Sequence, residues 1–210
     1  MSVDVLIHAL ITLFVTIDPI GMAPLFLAVT AGMDDQARKQ VAIRAFFIST
    51  SILLAFAFLG SSILSAIGIT LPAFRIAGGL LLFWIAFEMV FERRQARKSK
   101  SAERAVTMDE IRNVSVFPLS IPLIAGPGAI SAIILLSASS TDWVSQAEVI
   151  LALVLMTLAV LAVFLIAPRI EKILGETGRV VLTRLLGLLL AALSVQFVAD
   201  GIAAFIQQQP

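Results

Sequence analysis

Six apolar segments, each long enough to cross a lipid bilayer, account for most of this chain. A helix needs about 20 apolar residues to span the hydrocarbon core of a membrane. The segments cover residues 5–29, 42–64, 71–91, 114–137, 147–167 and 182–206. Because 60% of the 210 residues are hydrophobic and only 14% are charged, little remains to build a soluble domain. The sequence therefore predicts an all-α membrane protein with six transmembrane helices in a single domain, residues 1–210.

The basic residues indicate which ends of the helices face the cytoplasm. Fourteen of the 15 lysines and arginines lie in or beside the connections between helices 1 and 2, 3 and 4, and 5 and 6. Cytoplasmic loops of membrane proteins carry an excess of Lys and Arg. We therefore predict that these three loops are cytoplasmic and that both termini lie outside. The longest loop, residues 92–112, is predicted to be a solvated linker in preference to a docking site.

Two motifs recur at nearly the same spacing and divide the chain into halves. The sequence RIAGGLLLFWIA begins at Arg75 and RLLGLLLAALSV begins at Arg184, 109 residues later, while Pro19 and Pro127 are 108 residues apart. The halves comprise about residues 1–91 and 113–210. Each half holds three helices, an odd number, so the second half crosses the membrane in the opposite sense. We predict two inverted three-helix repeats, an architecture common among secondary transporters.

Helix-breaking residues interrupt the first and fourth predicted helices. They are Pro19, Gly21 and Pro24 in helix 1, and Pro118, Pro122, Gly126, Pro127 and Gly128 in helix 4. A proline costs about 3 kcal/mol in a helix interior, and irregular backbone persists at membrane depth only where it is buried in protein or lines a wet cavity. Interrupted segments at matching repeat positions indicate a transporter binding site. We therefore predict functional breaks at mid-membrane; two plain proline kinks are the alternative.

The residues beside each break indicate how each helix restarts. Asp18 is predicted to be the N-cap of a second short helix that begins at Pro19 and bends at Pro24. In helix 4, Pro127 is predicted to take the first helical position after Gly126, which has no side chain to cap the helix. The next three amides would then point into the break, where open donors attract an anion. The inverted symmetry is expected to bring the two breaks together.

One break thus carries a carboxylate and the other offers amides, which together complement a zwitterion. The ammonium of a substrate is predicted to approach Asp18, and its carboxylate to bind the amides from Gly126 to Ala129. Ser120 and Ser131 flank the second break and are candidate contacts, although serine in a membrane helix often bonds its own backbone. An ionisable side chain inside a membrane costs free energy on insertion and is therefore a candidate for function. Asp18 is for this reason also a candidate for ion coupling. Capping is compatible with either role.

Three further polar residues are candidates for coupling or gating. Arg75 lies inside helix 3, where it either snorkels outward or pairs with a carboxylate. Arg184 begins helix 6 and is also a candidate cytoplasmic anchor, and Gln196 is mid-span, where it could bond across helices. Close helix packing is predicted at three glycines, Gly78, Gly79 and Gly187.

The segments DPIGMAPLF, FRIAGG, PLSIPLIAGPGAIS and TRLLGLLL together resemble the MarC/SnatA family of bacterial and archaeal inner-membrane proteins. The resemblance covers about residues 13–201. It implies a six-span protein of the bacterial inner membrane, related to LysE-type exporters, that transports small neutral amino acids such as glycine and alanine. It also implies a substrate site that contains Asp18, Pro19 and Gly21 from the first half and Gly126, Pro127 and Gly128 from the second.

Other functional classes lack the residues that they require. The chain has no cysteine and a single histidine, His8, so we predict no metal site and no cofactor. It contains no HExxH, GxSxG or GxxxxGK(S/T) motif, which argues against a metalloprotease, a serine hydrolase or an ATPase. We expect a secondary transporter coupled to a proton or a sodium ion, with no nucleic-acid partner. The alternatives are a channel or exporter for another small solute, a membrane enzyme and a non-transporting assembly subunit.

Overall fold

The computed structural model describes residues 3–31, 33–91 and 114–207, and all regular structure in these ranges is helical. The elements in chain order are α1 (Val3–Ile17), a 3₁₀ turn (Ile20–Met22), α2 (Ala23–Val29), α3 (Asp35–Ala66), α4 (Leu71–Val90), a π-helical segment (Ser115–Ile124), α5 (Pro127–Ala138) and a helical run Trp143–Gln207. Within that run Gly175 has a φ of 60°, which divides it into α6 (Trp143–Ile170) and α7 (Thr177–Gln207). The predicted linker, 92–112, lies outside the described residues.

The described helices include five stretches that are long and apolar enough to cross a membrane. They are Asp4–Val29, Asp35–Ala66, Leu71–Val90, Trp143–Ile170 and Thr177–Gln207. Each coincides with a predicted span, so the prediction of an all-helical membrane protein is confirmed. The remaining predicted span, 114–137, is divided between the π-helical segment and the shorter α5. Large apolar side chains such as Phe47, Trp84 and Leu188 are exposed, as expected for helices that contact lipid.

Short polar turns determine where α3 and α4 begin. The side chain of Asp34 accepts a hydrogen bond from the amide of Ala37 at 2.7 Å, and that of Thr70 accepts one from Ala73 at 3.4 Å. Both capping residues have extended torsions, the usual geometry of an N-cap. Gly68, with a φ of 76°, supplies the left-handed conformation that turns the chain between the two helices.

Glycines allow the antiparallel helices α4 and α7 to pack closely. The closest approaches are at Gly79, Gly187 and Gly201, where an added Cβ would lie 3.0, 3.2 and 3.2 Å from the backbone oxygens of Ser194, Ala86 and Pro72, respectively. Small residues permit such backbone contact between membrane helices. At Gly78 an added Cβ would lie 3.1 Å from the side chain of Leu135 on α5. The predicted close packing at the three glycines is therefore confirmed.

Two buried clusters meet around α1 and α5. The larger cluster joins side chains of α1, α2, α3, the π-helical segment, α5 and α6. The smaller cluster joins α4 and α7 with Val15 of α1 and Leu135 of α5. α1 and α5 therefore lie between the clusters, and they are the helices that adjoin the two predicted breaks.

Candidate functional site

The first break lies at Asp18, between α1 and the 3₁₀ turn. Asp18 has a φ of 60°, in the left-handed region that L residues other than Asn and Asp rarely adopt, and it is only 2% exposed. Its amide donates to the carbonyl oxygen of Phe14 at 2.9 Å, which closes the last turn of α1. Its Oδ1 accepts a hydrogen bond from the amide of Gly21 at 3.1 Å. The carboxylate therefore binds the restarting chain as the sequence predicts, but the N-cap position is taken by Pro19 and not by Asp18.

The path of the chain after Asp18 differs from the prediction. Pro19 has helical torsions (φ −56°, ψ −37°), but it precedes one 3₁₀ turn, Ile20–Met22, and not a continuous helix. α2 begins afterwards at Ala23, and Pro24 lies in its first turn. Proline is favoured there because the first amides of a helix have no partner inside it. The predicted bend at Pro24 is therefore wrong, and this proline helps to start a helix.

Gly21 is fitted to the carboxylate of Asp18. A Cβ at residue 21 would overlap that carboxylate, lying 2.7 Å from its Cγ and 2.8 Å from its Oδ1. The missing side chain is what allows the carboxylate to reach the backbone amide of Gly21. The geometry of the first break therefore depends on both residues.

The second break is built by prolines and ends at a helix start. Phe117 (φ −128°, ψ 124°) and Ile121 (φ −125°, ψ 123°) are extended. Each precedes a proline, which disfavours helical torsions in the residue before it. The π-helical segment ends at Ile124, Gly126 is extended, and Pro127 takes the first position of α5 with no side-chain cap. The predicted start of this helix is confirmed.

The start of α5 offers fewer amide donors than predicted. The amide of Ile130 donates to the carbonyl oxygen of Gly126 at 2.9 Å, so it does not point into the break. Helix geometry leaves the amides of Gly128 and Ala129 without an acceptor inside the helix, and the helix dipole adds to their attraction for an anion. The candidate anion site therefore consists of two amides and not three.

The two breaks adjoin one another through Thr16 and Gly128. A Cβ on Gly128 would lie 3.4 Å from Cγ2 of Thr16, and it would overlap the end of the Ile85 side chain on α4. Thr16 precedes Asp18 by two residues, and both are buried. A buried carboxylate and an uncapped helix start therefore occupy neighbouring parts of the interior, with α4 beside them.

Two threonines on α1 form a polar face that the sequence analysis missed. Thr12 and Thr16 are one helical turn apart, and they are 0% and 2% exposed. The hydroxyl of Thr16 donates to the carbonyl oxygen of Thr12. Among the described residues, the hydroxyl of Thr12 has no hydrogen-bond partner, which costs about 1–3 kcal/mol for a buried polar group. The spacing of two threonines four residues apart, just before Asp18, is the signal that could have identified them.

The predicted serine contacts are buried, and one of them is committed to backbone. The hydroxyl of Ser120 donates to the carbonyl oxygen of Ser115 at 2.7 Å and lies 3.2 Å from that of Ala45. This is the self-bonding alternative for a membrane serine. Ser131 lies on α5 against Gly78 of α4. Among the other predicted site residues, Pro19, Gly126 and Ala129 are buried and Pro127 is exposed.

Among the candidates for coupling or gating, Asp18 alone lies at a buried break. Nη2 of Arg75 donates to the hydroxyl of Ser139 at 2.9 Å, which ties the start of α4 to the end of α5. Gln196 is exposed and donates to Oδ1 of Asp200 at 2.7 Å within α7, so it bonds along its own helix and not across helices. Arg184 is exposed on the same helix.

Comparison with known proteins identifies the family to which the chain is similar. A model described as the MarC family integral membrane protein matches residues 3–206. The UPF0056 membrane protein of Buchnera aphidicola subsp. Schizaphis graminum is 38% identical over 199 residues, which cover 95% of this chain and 92% of that protein. The UPF0056 membrane protein of Archaeoglobus fulgidus is 37% identical over 194 residues, and YhcE of Escherichia coli is 35% identical over 192; each alignment covers 91% of this chain and 89% of the relative. No solved structure matches the chain.

Proposed function

The chain belongs to the MarC family of integral membrane proteins, and from this premise we propose that it is a secondary transporter of small neutral amino acids, such as glycine and alanine, across the inner membrane. The observation that carries the proposal is the contact between Thr16 and Gly128. Thr16 lies two residues before the buried Asp18, and Gly128 lies in the first turn of a helix without a side-chain cap. Interrupted helices that meet in this way form the substrate sites of many secondary transporters.

In this proposal the substrate zwitterion binds between the two breaks. Its carboxylate accepts hydrogen bonds from the amides of Gly128 and Ala129, where the helix dipole favours negative charge. Its ammonium approaches the carboxylate of Asp18, whose Oδ1 stays on the amide of Gly21. The side chain of Ile85 fills the space beside Gly128, which favours a substrate with a small side chain.

We further propose that six spans form two inverted repeats, and reciprocal contacts between α4 and α7 support this. Under the 109-residue offset, Gly78 corresponds to Gly187 and Met89 corresponds to Val198. A Cβ on Gly187 would lie 2.9 Å from Cβ of Met89, and a Cβ on Gly79 would lie 2.7 Å from Cγ2 of Val198. The offset converts the contact between Gly187 and Met89 into one between Gly78 and Val198. The observed contact of Val198 is with Gly79, one residue away. Exchanged contacts of this kind accompany a twofold axis.

The proposed orientation places the three Lys- and Arg-rich loops in the cytoplasm and both termini outside, with the breaks near the middle of the bilayer. A proton or sodium gradient drives the cycle, and Asp18 is the coupling group because it is the ionisable residue at the break. No cofactor, metal, nucleic acid or catalytic residue takes part. A channel would use the same breaks without accumulating its solute, and an exporter for another small solute would not take up glycine or alanine saturably.

Uptake by proteoliposomes tests the proposal. We expect the purified protein to accumulate labelled glycine and alanine above equilibrium when a proton or sodium gradient is imposed. Empty liposomes and liposomes with a dissipated gradient are the controls. Uptake that stops at equilibrium under every gradient would indicate a channel, and the absence of saturable uptake of either amino acid would contradict the proposed substrate.

The variant Asp18→Asn tests the ammonium contact separately. Asparagine retains a side-chain oxygen for the amide of Gly21 but carries no charge. Hydrogen bonds to charged groups contribute about 1.5–3 kcal/mol, so we expect the affinity for glycine to fall about ten- to hundredfold, with a small change in melting temperature. Asp200→Asn makes the same chemical change on the exposed face of α7 and should bind glycine like the parent. Equal affinities for all three proteins would exclude the ammonium contact.

A further inference from the structure

A cationic cavity between α2, α3 and α6 lies outside the proposed transport site. It has a volume of about 340 Å³. Its charged lining residues are Arg38 and Lys39 near the start of α3, Arg169 near the end of α6, and Asp35. Three cations and one carboxylate give the lining a net positive charge, so the cavity favours an anionic ligand.

The same cavity has an apolar floor and an apolar rim. Phe26 and Phe164 form the floor, stacked with their ring centroids 4.3 Å apart. Leu165 and Ile166 form the rim, and they are 48% and 43% exposed. Three residues beyond Ile166, the surface of α6 changes to the exposed Arg169. Such a change from exposed apolar residues to basic residues marks the level of the lipid headgroups.

Arg38 is positioned at this cavity with donor capacity to spare. Its Nη1 lies 3.6 Å from Oδ1 of Asp35, and its Nη2 lies 3.4 Å from the carbonyl oxygen of Met33. Both distances are long for hydrogen bonds. Its Nε is buried and has no hydrogen-bond partner within the part of the chain that the structure describes. A guanidinium presents five donors in a fork that matches the oxygens of a phosphate group.

We propose that this cavity binds an anionic phospholipid, with the lipid phosphate on Arg38, Lys39 and Arg169 and the acyl chains along Leu165 and Ile166. Basic pockets between transmembrane helices on the cytoplasmic side bind anionic headgroups. The exposed apolar rim favours a lipid over a free phosphate ion, because only a lipid covers the rim and the cations together. The proposal does not depend on transport, since lipid binding is measured without a substrate.

Native mass spectrometry of the full chain with added phosphatidylglycerol or phosphatidylcholine tests the site. We expect phosphatidylglycerol to bind at least tenfold more tightly. In Lys39→Gln/Arg169→Gln its affinity should fall about fivefold for each cation removed, and thus about 25-fold in total. The matched control Arg44→Gln/Lys172→Gln removes two exposed cations from the neighbouring surface and should bind the lipid like the parent.

Three results would overturn the proposal. Equal losses in the two double variants would mean that overall charge, and not the cavity, attracts the lipid. Equal binding of phosphatidylglycerol and phosphatidylcholine would remove the requirement for an anion. Glycerol phosphate that binds as tightly as the lipid would identify a soluble anion as the ligand. Melting temperatures verify that each variant is folded. If the double variant does not fold, Lys39→Gln alone replaces it, with an expected fivefold loss of affinity for phosphatidylglycerol.

Discussion

Gly79→Leu is expected to prevent stable folding of the helix bundle. A Cβ at residue 79 would already lie 3.0 Å from the backbone oxygen of Ser194 and 3.1 Å from the backbone nitrogen of Val198. These atoms belong to α7, so they can retreat only if the two helices separate. Overpacking costs about 1–3 kcal/mol for small additions, and leucine adds a whole branched side chain to a contact with no free space. We expect little folded protein in fluorescence-detected size-exclusion profiles of this variant.

The neighbouring glycine provides the matched control for this result. A Cβ at Gly78 would lie 3.1 Å from Cδ1 of Leu135, which is the flexible end of a side chain and can move. Gly78→Ala should therefore lower the melting temperature in detergent less than Gly79→Ala does. A Cβ at Gly187 would also meet backbone, 3.2 Å from the oxygen of Ala86 on α4, so we expect Gly187→Leu to be as damaging as Gly79→Leu. Equal melting temperatures for the two alanine variants would show that the contact between α4 and α7 does not limit stability.

The parts of the fold that depend on local chemistry could be predicted from the sequence. Proline and the residue before it restrict the backbone whatever surrounds them, so the break before Pro127 and the interruption at Asp18 follow from short motifs. The apolar length of each segment likewise predicts a span before any packing is known. The same local rule, applied to Phe117 and Ile121, accounts for the extended residues inside the π-helical segment.

The errors arose where the outcome depends on register or on distant residues. The predicted bend at Pro24 requires one helix that restarts at Pro19, but a separate 3₁₀ turn shifts the first turn of α2 onto Pro24. The amide of Ile130, the third after Pro127, is not an open donor because the carbonyl oxygen of Gly126 lies one turn before it and accepts its hydrogen bond. The contact between Thr16 and Gly128 joins residues more than 100 positions apart. The sequence pattern of one helix does not predict which residue of another helix it will contact.

Gly21→Ala is expected to reduce glycine transport about hundredfold while the bundle remains folded. The new Cβ would lie 2.7 Å from Cγ of Asp18, so the carboxylate must rotate away from the amide that now holds its Oδ1 at 3.1 Å. A positioned group that is displaced by about 1 Å can lose a hundredfold in efficiency. Initial rates in proteoliposomes, with reconstituted protein quantified, measure the effect. Wild-type rates would contradict any role for the position of this carboxylate.

The double variant Asp18→Gly/Gly21→Ala separates the packing of the first break from its chemistry. Glycine adopts a φ of 60° without the cost of about 1–2 kcal/mol that an L residue bears in the left-handed region, and it removes the carboxylate that the new Cβ meets. The melting temperature lost in Gly21→Ala should therefore return, because the overlap is gone, while glycine binding should remain lost, because no carboxylate is left for the ammonium. If binding also returns, Asp18 only caps the chain, and the substrate ammonium must bind elsewhere. If stability does not return, the overlap with Asp18 is not what the alanine disturbs, and the fit between these two residues does not determine the shape of the break.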